Sequence, residues 1–157
     1  MNDSVELIEA PRQVLAVERF HILLQDMDTM GERISNTFGS VASRLARAGA
    51  APIGPPVGTY LPTIVGFDVA AGFPVDPSVV ATDGIETIEV GGKEVAHLVH
   101  VGSYESLPEA YGEIESAAAE HGDELETNEP MWEVYLTGPD LPPEETFTEI
   151  FWPLRRG

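Results

Sequence analysis

The chain has 157 residues, of which 27 are acidic and 8 basic, giving a formal charge of −19, and it has no cysteine. That length suits one domain with its own core, and the missing cysteine excludes disulfides, thiolate metal sites, iron–sulfur clusters and cysteine nucleophiles. The charge argues against a nucleic-acid surface and against an anionic membrane, while a hydrophobic fraction of 43% sets the chain apart from a solvated acidic tail. The single lysine, Lys93, leaves an acidic, lysine-poor surface of the kind a protein working in high salt needs. With no basic leader and no apolar run of about 18 residues, the expectation is a soluble cytoplasmic protein.

In chain order, Val14 to Ile22 predicts a strand, with Pro11 tolerable before it. Met27, Met30, Ile34, Phe38, Val41 and Leu45 recur at helical spacing, so a helix follows, capped by Asp26 or Asp28 and ended by Gly49. The breaker cluster Pro52-Ile53-Gly54-Pro55-Pro56 separates it from extended stretches at 57–60 and 63–69. The glycines and prolines of 70–84 predict mostly loop. Strands are then expected at 85–90 and 94–101, with Gly91-Gly92 turning between them. A second helix runs to His121, with Ser106 as its N-cap, Pro108 in its first turn, Glu109 near its positive end and Gly122 after it. Strands at 131–137 and 145–152 close the chain, on either side of a loop with Gly138, Pro139, Pro142 and Pro143. Each half therefore reads strand, helix, strand, with an extra strand. The expected fold class is α+β. Two pseudo-repeats, about 5–75 and 85–154, would make one antiparallel sheet with both helices on one face and a ligand cleft on the other.

A set of short segments occurs in an informative order. These are Pro52-Ile53-Gly54-Pro55, Gly66-Phe67-Asp68-Val69, Phe73-Pro74-Val75, His100-Val101-Gly102-Ser103-Tyr104-Glu105-Ser106-Leu107, Ala110-Tyr111, Glu133-Val134-Tyr135, and Thr148-Glu149-Ile150 with Pro153. From Pro11 to Pro153 the chain resembles the gyrase-inhibitor-like (GyrI-like) small-molecule-binding domain, also the effector-binding module of AraC-type and multidrug-sensing transcription regulators. The His-x-Gly-x-Tyr and Glu-x-Tyr runs carry most of that resemblance. It implies a duplicated β-α-β-β fold, a cleft along a pseudo-twofold axis, and lipophilic ligands that are often cationic or aromatic. The regulators join this domain to a helix-turn-helix segment; none precedes Pro11, so a stand-alone member without direct nucleic-acid binding is expected. Some stand-alone members hydrolyse reactive cyclopropane-bearing compounds.

Glu133 is the central candidate. The period of a strand puts Glu133 and Tyr135 on one face and the apolar Trp132, Val134 and Leu136 on the other, which suits the helix-covered side. A carboxylate among aromatic rings takes up a proton or pairs with a cation, and the resemblance implies that this glutamate meets ligand. Tyr135, Tyr104, Phe67, Tyr60 and Trp152 are candidate ligand-binding walls, with sheet packing the alternative for Tyr135, capping of the turn before the second helix the default for Tyr104, and core packing the default for Trp152. Asp68 is either a second carboxylate near the axis or a residue of exposed coil. His97 and His100 point to opposite faces of a strand, and His21 and His121 have no ligand-like spacing, so no metal is expected. No histidine is placed as a haem ligand, no phosphate-binding glycine motif or nucleophile elbow is present, and no cofactor is expected.

The leading expectation is a binding protein for hydrophobic, aromatic, cationic small molecules, used for sequestration or sensing. A hydrolase of small electrophiles stands beside it, with Glu133 and Tyr135 as the catalytic pair. A third alternative is a protein-docking inhibitor module whose acidic surface attracts a basic partner.

Overall fold

The structure, a computed structural model, describes residues 5–79, 85–137 and 141–155. Within them run β1 (Glu6–Glu9), β2 (Gln13–Leu23), α1 (Met30–Arg47), β3 (Val57–Pro62), β4 (Gly66–Val75), β5 (Glu86–Val90), β6 (Glu94–Val101), α2 (Leu107–Glu120), β7 (Met131–Tyr135) and β8 (Phe147–Pro153). This is the expected α+β class, with β2-α1-β3-β4 repeated as β6-α2-β7-β8. The expected loop positions Gly84, Gly138 and Pro139 lie outside the described residues.

The chain forms two compact units, a contiguous one, 12–91, and a split one, 1–11 with 92–157. In the contiguous unit, β3 pairs with β4, β4 with β2, and β2 with β5, all antiparallel. The stripe read from the sequence is the packing face of α1. Val41 and Leu45 cover Ala16, Val75 and Ile85, and Met30, Ile34 and Phe38 close over Ile22, Val69 and Ala71 together with Phe20, Tyr60 and Phe67. Met27 falls outside the stripe, in a 3-10 turn before the helix, and is exposed. Neither Asp26 nor Asp28 caps α1. Thr29 occupies the N-cap position, and its hydroxyl donates back to the Asp26 carbonyl at 2.7 Å.

Residues 70–75, expected as loop, are the second half of β4. Gly72 and Pro74 read as breakers, yet each has a place in the ladder. A Cβ on Gly72 would sit 1.7 Å from the Ala16 carbonyl oxygen, so a glycine is what lets β2 and β4 approach there. The carbonyl of Pro74 accepts from the Ile53 N–H, so its nitrogen also faces away from β2, beyond the Val57↔Gly72 pair where the ladder with β3 ends. No ladder hydrogen bond is lost to its missing N–H.

In the split unit, β1 pairs with β6, β6 with β8, and β8 with β7, again antiparallel. Sequence reasoning missed β1, a four-residue edge strand. The two extra strands are exchanged. β1 precedes β2 in the chain but pairs with β6, and β5 precedes β6 but pairs with β2. The compact units thus divide the chain differently from the sequence repeats. Ala110, Ile114 and Ala118 form the buried face of α2. Ser106 stands at its N-cap position but makes no capping bond: its hydroxyl donates to the Ser103 carbonyl and accepts from His100 Nε2, each at 2.8 Å. Pro108 and Glu109 lie in the first turn as expected.

Candidate ligand site

β7 sets the site. Glu133 lies opposite Ile150 of β8, and Tyr135 opposite Thr148. Cross-strand partners share a face, so Met131, Glu133 and Tyr135 look the same way as Thr148, Ile150 and Trp152. α2 covers that face. The Tyr111 ring meets Trp152 edge-on at 5.9 Å, and its hydroxyl approaches the Met131 sulfur at 3.9 Å. The expectation that the helix covers Trp132, Val134 and Leu136 is therefore overturned: Glu133 is on the helix side. The misassignment has a physical cause. Trp132 is apolar because the opposite face is buried as well; its ring stacks on Phe151 at 5.2 Å, and Phe151 in turn packs against His97.

Glu133 is buried, with a relative exposure of 5%. Tyr135, two residues on and on the same face, donates its hydroxyl to Glu133 Oε1 at 2.7 Å. Burial pushes the carboxyl up to about 7, against a smaller opposing pull from the Tyr135 hydroxyl. Among the described residues no lysine or arginine enters that balance. Tyr104 completes the group. Its ring meets Tyr135 edge-on at 5.9 Å, and its hydroxyl points to the Thr137 carbonyl at 3.5 Å. Burial, and the nearby charge of Glu133, raise its ionisation above the usual tyrosine value.

The His-x-Gly-x-Tyr run positions Tyr104. Gly102 has φ +147°, and a Cβ there would lie 3.0 Å from Ser106 Oγ and 3.1 Å from His100 Nε2. The glycine thus leaves room for the His100–Ser106 bond that ties the end of β6 to the start of α2, with Tyr104 between them.

Of the six candidates, Glu133, Tyr135 and Tyr104 come together in the split unit. Trp152 shares their face, but its ring packs on Tyr111 and its indole N–H is given to the Glu126 carbonyl at 3.0 Å. Tyr60 and Phe67 lie in the contiguous unit, half-buried against the cluster below α1. Asp68 is exposed and paired with His21 across the β2–β4 ladder at 2.8 Å. His97 and His100 do face opposite ways, to Glu149 and Ser106. Among the described residues no group of histidines and carboxylates could hold a metal, and no helix is long and apolar enough to cross a membrane. Tyr111 was named only within the Ala110-Tyr111 segment of the resemblance and was not singled out as a site residue.

Tyr135→Phe tests the pairing of hydroxyl and carboxylate. The Tyr135 bond favours the ionised carboxyl, so its loss is expected to move the Glu133 midpoint upward. Carbon NMR of labelled glutamate through a pH titration reads this directly; an unmoved midpoint means the bond does not form.

The chain belongs to the GyrI-like small molecule binding domain family, whose profile matches residues 26–155. Among solved structures it is similar to the C-terminal domain of EcmrR, at 17% identity, with both chains covered in full and a TM-score of 0.73. It is also similar to SAV2435 bound to tetraphenylphosphonium, at 13% identity over 99% of this chain and 94% of that one, with a TM-score of 0.64. A hydrolase from Listeria innocua aligns at 13% identity over 96% and 91%, with a TM-score of 0.66. At these identities the likeness establishes the fold. No curated protein sequence matches the chain.

Proposed function

We propose that this chain binds lipophilic aromatic cations and that Glu133 is the charge that selects them. The observation that carries the proposal is a carboxyl buried beside two tyrosines, whose ionisation is governed by burial and the Tyr135 hydroxyl, with no basic side chain among the described residues in that balance. A buried carboxylate without a counter-ion is costly. A cation brought by the ligand removes that cost, and the rings of Tyr104 and Tyr135 add cation–π attraction. Trp152, on the same face, is proposed as a further aromatic wall. The relative bound to tetraphenylphosphonium supports this ligand class. The acidic surface raises the local concentration of cations, an effect that salt screens within about 10 Å.

The test is a titration with tetraphenylphosphonium across pH. Glu133 must give up its proton to pair with a cation, and its midpoint is about 7. Affinity is therefore expected to climb through neutrality, and binding at pH 6 to be roughly tenfold weaker than on the alkaline plateau, because only about a tenth of the carboxyls are then ionised. A flat profile from pH 5 to pH 9 would remove Glu133 from the recognition of charge.

A second proposal rests on the same pair. A carboxyl midpoint near neutrality with a phenol at 2.7 Å suits general acid–base work on a strained electrophile. The structural likeness to a protein named as a hydrolase supports it. Product formed beyond one equivalent of protein distinguishes turnover from binding.

A further inference from the structure

The turn between β3 and β4 carries apolar side chains at its tip. Thr63 N–H donates to the Gly66 carbonyl at 2.8 Å, and the Thr63 hydroxyl accepts from the Gly66 N–H at 3.0 Å, so Ile64 and Val65 form the tip. Two β-branched apolar residues thus occupy it, with Ile64 at 98% and Val65 at 54% exposure. Beside them the end of β2 enters a 3-10 turn, and the Leu24 N–H donates to the Val65 carbonyl at 2.9 Å, fixing the two segments together. Leu23, Leu24 and Met27 are exposed there as well.

Solvation opposes this cluster of exposed apolar side chains, which points to use. We propose that Leu23, Leu24, Met27, Ile64 and Val65 form a docking surface for another protein, which presents apolar side chains flanked by lysine or arginine. The charge of the surroundings selects that partner. Asp26 and Asp28 lie within the same 3-10 turn, Glu32 lies in the first turn of α1, and the chain as a whole carries −19. Arg33, the nearby cation, is occupied by the Phe20 ring at 4.4 Å and the His21 carbonyl at 2.9 Å. A second copy of the chain would bring a like charge to the patch, and an anionic bilayer would be repelled. Five side chains make a small interface, which suits a transient contact.

The test uses a displayed library of random short peptides selected on the wild-type protein and counter-selected on the doubly substituted Leu24→Asp, Ile64→Asp protein. Both positions are exposed, so the fold is expected to be kept, and the milder Ile64→Ser controls for that. The expected result is enrichment of peptides that combine apolar residues with lysine or arginine, and a loss of at least about tenfold in their affinity in the double variant. That variant adds negative charge, so general attraction of cations would strengthen and cannot mimic the loss. Ile53→Asp, at an exposed position on the loop before β3, is expected to change nothing. Failure to enrich, enrichment of acidic peptides, equal binding by both proteins, or self-association or vesicle binding abolished by the double substitution would each overturn the proposal.

Discussion

Glu133→Gln is expected to lower affinity for tetraphenylphosphonium about a hundredfold at pH 8, the scale on which truncating one member of a buried charge pair acts. The same substitution is expected to change how stability depends on pH. Below about 4.5 the carboxyl is neutral in both folded and unfolded chains. Between 4.5 and about 7 the unfolded chain loses the proton while the folded chain keeps it, so the wild type loses stability as pH rises, and above 7 the loss is complete. At about 1.4 kcal/mol per pH unit this interval is worth about 3 kcal/mol. The glutamine variant lacks that slope. Its stability at pH 8 relative to pH 4 should therefore exceed that of the wild type by about 3 kcal/mol, as read by urea denaturation of both proteins at both pH values. Unchanged affinity would exclude Glu133 from the site; an unchanged slope would mean that the carboxyl is solvated or already paired. The two readouts separate its binding role from its burial, and together they describe a residue that weakens the fold where it serves recognition.

Gly72→Ala is expected to be the most damaging single-atom addition in the contiguous unit. The new Cβ would lie 1.7 Å from the Ala16 oxygen and 2.8 Å from its carbonyl carbon, which are backbone atoms and cannot rotate aside. β2 and β4 would have to part along the longest ladder in that unit, which also carries the core residues Ala16, Val69, Ala71 and Val75. A loss of about 3 kcal/mol or more is expected. An alanine at Gly39, where an added Cβ meets nothing within 4 Å, should instead be neutral or stabilising within α1. Thermal melts of the two variants check the contrast, and equal melting temperatures would refute it.

Much of this site was legible from residue order. The two-residue period of a strand put Glu133 and Tyr135 on one face, and that is what the bond between them requires. The stripe from Met30 to Leu45 likewise gave the buried face of α1. Three things were not legible, each for a physical reason. Trp132 looked helix-covered because apolarity reports burial and not the identity of what buries it. The far end of β4 looked like loop because the local cost of Gly72 and Pro74 is visible in sequence, whereas the neighbouring backbone that makes them suitable is not. β1 was missed because four residues with glutamate at each end have little strand character of their own, and the strand they complete lies more than eighty residues away. The nearness of Tyr104 to Tyr135 was not read from the sequence; the structure supplies it, with the turn at Gly102 placing Tyr104.

The exchange of β1 and β5 also orders the events of folding. β2 through β5, with α1, form the contiguous unit, so the β2–β4, β2–β5 and β3–β4 ladders can all form once residue 91 has left the ribosome. β1 emerges before any of them, yet its ladder cannot form until β6 has been made. Its closing loop encloses the whole of the other unit, so the entropic cost of that pairing is met only when the intervening chain has become compact. The strand that edges the split unit is thus exposed as a nascent segment for longest, and its two glutamates, flanking only Leu7 and Ile8, keep that waiting edge soluble.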